Sequence, residues 1–216
     1  MGKSWPAKRP CAQRSNLFPS QNTMSGVKDP LSSPARLMET LGAIPSKAVV
    51  LDWMEQWPRL DAEYGAGHAL ALEQALLEGM RTKGKAGFRA VWVVALLCSK
   101  ALMNASPEAE LLSFWNDTAD ESCRRECMRA LLFLGPSNPA LSELLGWSTQ
   151  VVYLDDVPAA IHHYALRIIA RSLEPGFESV LHGMHEEILD ALSAVNLGPH
   201  PAHLKKKAAL LEARLS

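Results

Sequence analysis

His182, His185 and Glu186 stand close enough to share one helix face, and two imidazoles beside a carboxylate are ligand types that suit a divalent transition metal. A zinc hydrolase would add a distant third ligand and a general base, and no such pattern surrounds this pair, so no metal or other cofactor is expected. Cys123 and Cys127 are also helical neighbours, yet no second cysteine or histidine pair at finger-like spacing accompanies them. Cys127 reads instead as a small buried hydrophobe. A serine-centred elbow, a phosphate loop and a dinucleotide glycine fingerprint are all missing, and no catalytic residue is expected.

Binding chemistry is better represented. Three stretches align: Ala90 to Leu97, Cys127 to Leu134 and Ala165 to Ser172, with matching positions at 90, 127 and 165, that is 37 and 38 residues apart. That period belongs to stacked helix pairs. If Ala90, Cys127 and Ala165 face the core, the positions two before and two after them lie on a second face. This face reads Phe88 and Trp92, then Arg125 and Arg129, then His163 and Arg167, with Arg171 one turn further. Stacking would set these side by side as a ladder on a concave surface. Arginine forks pair bidentately with carboxylates and a tryptophan anchors an interface, so Trp92, Arg125, Arg129, His163, Arg167 and Arg171 form a candidate site for an acidic peptide. The competing arrangement pairs the arginines with Glu126, Asp120 and Glu121 and buries Trp92 beneath the N-terminal helices.

Charge narrows the partner classes. With 22 Lys+Arg against 23 Asp+Glu the chain carries a formal charge of −1, so no whole-molecule field drives it onto nucleic acid or an anionic membrane. The longest apolar run, Ala90 to Cys98, is far short of the ~20 residues that span a bilayer. A cytoplasmic location is expected, and four cysteines without loop spacing do not form a disulfide framework.

The elements that must position the ladder follow from stops, caps and apolar spacing. Residues 1–33 read as a disordered basic tail, with Lys3, Lys8, Arg9, Arg14 and Lys28, no acid before Asp29, and prolines that oppose a transit-peptide helix. A single helical domain is expected over 34–216: a cap at 34–66, then pairs at about 67–100, 106–135, 138–174 and 177–216. Helices are predicted to start at Pro34 after Ser33 and at Lys47 after Ser46, and Pro58 ends the second. Phe177 to about Val195 reads as one helix, and Val151 to Leu154 is β-branched enough to be extended. The last helix, Ala202 to Leu215, reads as an end cap whose exposed outer face carries Lys205, Lys206 and Lys207. The whole is predicted to be an all-α, right-handed α-solenoid of stacked antiparallel helix pairs.

Gly87 to Val94, Ala159 to Leu166 and Lys206 to Leu211 carry a further likeness. On these segments the chain resembles HEAT/armadillo-type helical repeat proteins, and in particular small bacterial HEAT-like proteins. The resemblance covers about Val50 to Ser216 and implies an all-α scaffold without inherited catalytic residues. Val91 and Val94 depart from the small or leucine residues of that pattern, and the first 30 residues have no counterpart.

The expected function is a non-catalytic protein-interaction scaffold or adaptor that holds a protein or acidic peptide. Two alternatives stand beside it. One is a nucleic-acid-binding or DNA-repair helical-repeat protein, since Asp52-Trp53 and the tryptophan content invite comparison with helical-repeat glycosylases; the neutral charge opposes it. The other is metal binding through the C-terminal histidines.

Overall fold

A computed structural model describes residues 29–43, 45–133, 139–154 and 157–215, and among them every regular element is helical. The tail predicted to be disordered lies mostly outside these residues. Its last part does not: Asp29 starts a 3-10 turn at Pro30–Ser32, Leu31 is fully buried, and the Tyr64 hydroxyl donates to Asp29. The His68 ring, stacked on Tyr64 with centroids 4.7 Å apart, hydrogen-bonds the Leu31 carbonyl at 2.7 Å. Residues 29–33 of the predicted tail are therefore folded onto the domain.

Helices α1 (Pro34–Gly42) and α2 (Lys47–Gln56) start where hydroxyl caps predict. Ser33 Oγ accepts from the Arg36 amide at 3.3 Å and Ser46 Oγ from the Val49 amide at 3.4 Å, satisfying donors that the first turn leaves open. A 3-10 turn at Trp57–Arg59 and the short α3 (Leu60–Tyr64) follow, and the chain reverses into α4 (His68–Gly79).

Then come α5 (Lys85–Ser99), α6 (Glu108–Asp117), α7 (Glu121–Leu131), α8 (Pro139–Val151), α9 (Ala159–Ser172), the one-turn α10 (Glu178–Leu181), α11 (His185–Leu197) and α12 (Ala202–Leu215). Asp120 caps α7 with one carboxylate oxygen, which accepts from the Ser122 and Cys123 amides at 2.8 and 3.1 Å. The turn into α5 depends on glycine. Gly84 sits at φ 82°, and a Cβ on Gly87 would lie 1.9 Å from the Thr82 carbonyl oxygen.

Sequential helices pack as neighbours: α4 on α5, α6 on α7, α8 on α9 and α11 on α12. The second members also touch in order, α5 on α7, α7 on α9 and α9 on α12, while α6 meets α8 and α8 meets α11. Helix α1 covers α4 and α5, and α2 packs on α5. Ala90, Cys127 and Ala165 are each fully buried on α5, α7 and α9, so the aligned positions do face a common core. Small residues there let helix backbones approach closely.

Two local expectations are corrected. Val151 ends a helix, and Val152 and Tyr153 lie in a turn; both valines are buried, so packing in a helical layer overrides β-propensity. The helix expected from Phe177 to Val195 is split, because the chain leaves helical geometry between Leu181 and His185. His182 closes α10 and His185 opens α11, which removes the shared helix face proposed for a metal.

Candidate functional site

Helix α9 carries His163, Arg167 and Arg171 one turn apart, and α12 carries His203 and Lys207 at the same spacing. The two helices pack together, and these stripes meet along their seam. Burial holds the His163 imidazole below its ordinary range, and Lys207, Arg167 and His203 push it further down. Lys207 is pushed down to about 8, first by its own burial and then by the Arg167 guanidinium. Lys207 is therefore not on the free outer face assigned to it above. It is half-buried against α9.

At the end of the seam, where α7 also arrives, lies a pocket of about 330 Å³ lined by Leu132, Phe133, Arg167, Ala170, Arg171, Glu174 and Lys207. Leu132 is buried, whereas Phe133 is 47% exposed and offers an aromatic wall. Arg171 is committed: its guanidinium pairs with Glu174 and lies 4.8 Å from the Phe177 ring centroid, while its Nε is buried without a hydrogen-bond partner among the described residues. Arg167 lies 5.6 Å from the Tyr164 ring centroid. Among the described residues neither Arg167 nor Lys207 forms an ion pair.

The rest of the predicted ladder divides differently. Arg125 and Arg129 close on one carboxylate, Glu126, whose oxygens lie 3.4 Å from Arg125 Nε and 3.0 Å from Arg129 Nη1. Glu126 is buried, so this triad is a structural element of α7, as the competing arrangement held for Glu126. Asp120 and Glu121 are not its partners; Asp120 caps the helix. Trp92 is half-buried and packed against the core, and it does not line the pocket of Arg167 and Arg171. The structure thus unites His163, Arg167 and Arg171 and adds Lys207 and His203.

For the C-terminal histidines, His182, His185 and Glu186 are all exposed, and the His185 ring lies 3.4 Å from the Leu215 carbonyl. Among the described residues no group of three or more His, Cys, Asp or Glu is placed to hold a metal ion. Asp52 is exposed on α2 and bonded to Gln56 at 2.7 Å, while Trp53 is buried in the core.

Sequence reasoning passed over Glu73. This fully buried carboxylate accepts from Trp57 Nε1 at 3.2 Å, from Asn104 Nδ2 at 3.0 Å, and from the Asn104 and Ala105 amides at 2.8 and 2.7 Å. The available signal was an acid four residues after Ala69 on the buried stripe of α4.

Comparison of the chain with protein-family models, curated proteins and solved structures returns no match. Among the described residues no helix is long and apolar enough to cross a membrane.

Proposed function

We propose that the protein is a non-catalytic interaction scaffold, a HEAT-like array of stacked antiparallel helix pairs, which recognises an acidic segment of a partner protein at the α7–α9–α12 seam. Supporting the array is the order in which α5, α7, α9 and α12 pack, each on the next, with α6, α8 and α11 behind them. The observation that carries the recognition is the convergence of Arg167 and Lys207 on one pocket whose lining carboxylate, Glu174, pairs with Arg171, so that among the described residues neither cation has an ion-pair partner. Unpaired like charges held together cost stability in the free protein, and an incoming carboxylate removes that cost. Phe133 supplies apolar contact beside them.

Fluorescence anisotropy with a labelled peptide of alternating Glu and Phe tests the reading. Binding should weaken as salt rises, and Arg167→Glu with Lys207→Glu should lower affinity at least about a hundredfold, roughly tenfold for each reversed charge. Equal affinity in the double variant would move the site elsewhere. Tighter binding of duplex DNA, with a steep salt slope lost in the same variant, would favour the nucleic-acid alternative.

A further inference from the structure

We infer that the pocket between Phe133, Arg167, Arg171 and Lys207 is built for a phosphorylated side chain of a partner peptide. This rests on the seam being a recognition surface, and it names the group recognised there. Arg171 is already neutralised by Glu174, which leaves Arg167 and Lys207 as two cationic side chains without an ion-pair partner among the described residues around one volume. A single carboxylate would match one of them. A phosphoryl group carries about −1.5 to −2 charge at neutral pH and three strong acceptor oxygens, so it matches both. The guanidinium can engage two oxygens as a fork and the ammonium a third as a compact charge.

Size and surroundings select among sources of phosphate. About 330 Å³ is the room of about ten waters at roughly 30 Å³ each, more than a phosphoryl group needs, and the exposed face of Phe133 borders it. Free phosphate would leave that aromatic wall unused. A nucleic-acid backbone needs a track of cations, and the track is broken where Arg125 and Arg129 are spent on Glu126. A peptide that presents one phosphorylated residue beside an apolar one uses all of what is present.

Calorimetry on the full chain at neutral pH and fixed salt, with four probes, tests this: acetyl-Phe-phosphoserine-Phe-amide, the same peptide with Glu, inorganic phosphate and a short DNA duplex. The phosphoserine peptide should bind at least about tenfold tighter than either the Glu peptide or inorganic phosphate. Its binding should raise the titration point of Lys207, followed by NMR of the ammonium group, and Arg167→Met should weaken it at least about tenfold without lowering the melting temperature. Should Arg167→Met fail to fold, Lys207→Gln carries the same expectation. Equal binding of the Glu peptide would overturn the phosphoryl assignment and leave the acidic-peptide reading standing; no binding of either peptide would overturn both. Inorganic phosphate as tight as the peptide would make this a free-phosphate site, and tighter binding of the duplex would make it a nucleic-acid site; each result refutes the inference.

Discussion

The Trp57 indole N–H donates to Glu73 Oε1 at 3.2 Å, a buried hydrogen bond between the N-terminal cap and the first helix pair. The other oxygen of Glu73 receives the Asn104 and Ala105 amides, so a single buried carboxylate also holds the loop between α5 and α6. Replacing it with leucine strands four donors, two of them backbone, in an apolar interior. Each unsatisfied donor costs about 1–3 kcal/mol, so Glu73→Leu should lose at least about 4 kcal/mol in urea unfolding. Glu73→Gln, which keeps one acceptor oxygen, should lose about half of that. A leucine variant within about 1 kcal/mol of wild type would show that the carboxylate holds neither segment.

Arg129 and Arg167, equivalent rungs of the predicted ladder, should respond differently. Arg129 compensates the buried Glu126 together with Arg125, so Arg129→Ala should cost about 1–3 kcal/mol of stability and leave affinity for the Glu-Phe peptide unchanged. Arg167→Ala should do the reverse. Loss of peptide binding in Arg129→Ala, with stability intact, would return Arg129 to the site.

These two arginines show what the sequence disclosed and what it withheld. Ala90, Cys127 and Ala165 were identifiable because small, evenly spaced residues leave a periodic trace, and all three are fully buried. The caps at Ser33 and Ser46 were identifiable because they are local. Which charge meets which is not local. The pairing of Arg129 with Glu126 was one of two open arrangements, and the approach of Lys207 to Arg167 joins residues 40 apart (207 − 167) through the packing of α12 on α9. Lys207 is three residues after the buried Leu204 and adjacent to the buried Ala208, at the edge of the apolar stripe, which a tally of exposed lysines overlooks. The split of the Phe177–Val195 helix at His182 to Met184 carries Gly183 but no proline, and a lone glycine inside a helical pattern is a weak stop.

The three described cysteines should be slow nucleophiles. Burial pushes the Cys98 thiol up to about 12 and Cys123 up to about 11, and it pushes Cys127 in the same direction. In a Cys11→Ser background, alkylation by iodoacetamide at about pH 8 should be at least about a hundredfold slower in the native protein than in urea. Fast native labelling of Cys123 or Cys127 would contradict their place in the core.

Lys207 offers the most direct measurement of the central claim, that the seam keeps unpaired cations for a ligand. Its folded value of about 8 lies below the ~10.4 of an unfolded lysine, so between these values the unfolded chain binds more protons and stability rises with pH. Below about pH 8 the unfavourable charge is present in full. Lys207→Met, melted across this range and titrated with the acidic peptide at neutral pH, reads both consequences together. The account predicts a variant more stable than wild type at pH 7, an advantage that shrinks toward pH 10, and at least about tenfold weaker peptide binding. A variant less stable than wild type at pH 7 that binds the peptide equally well would contradict it.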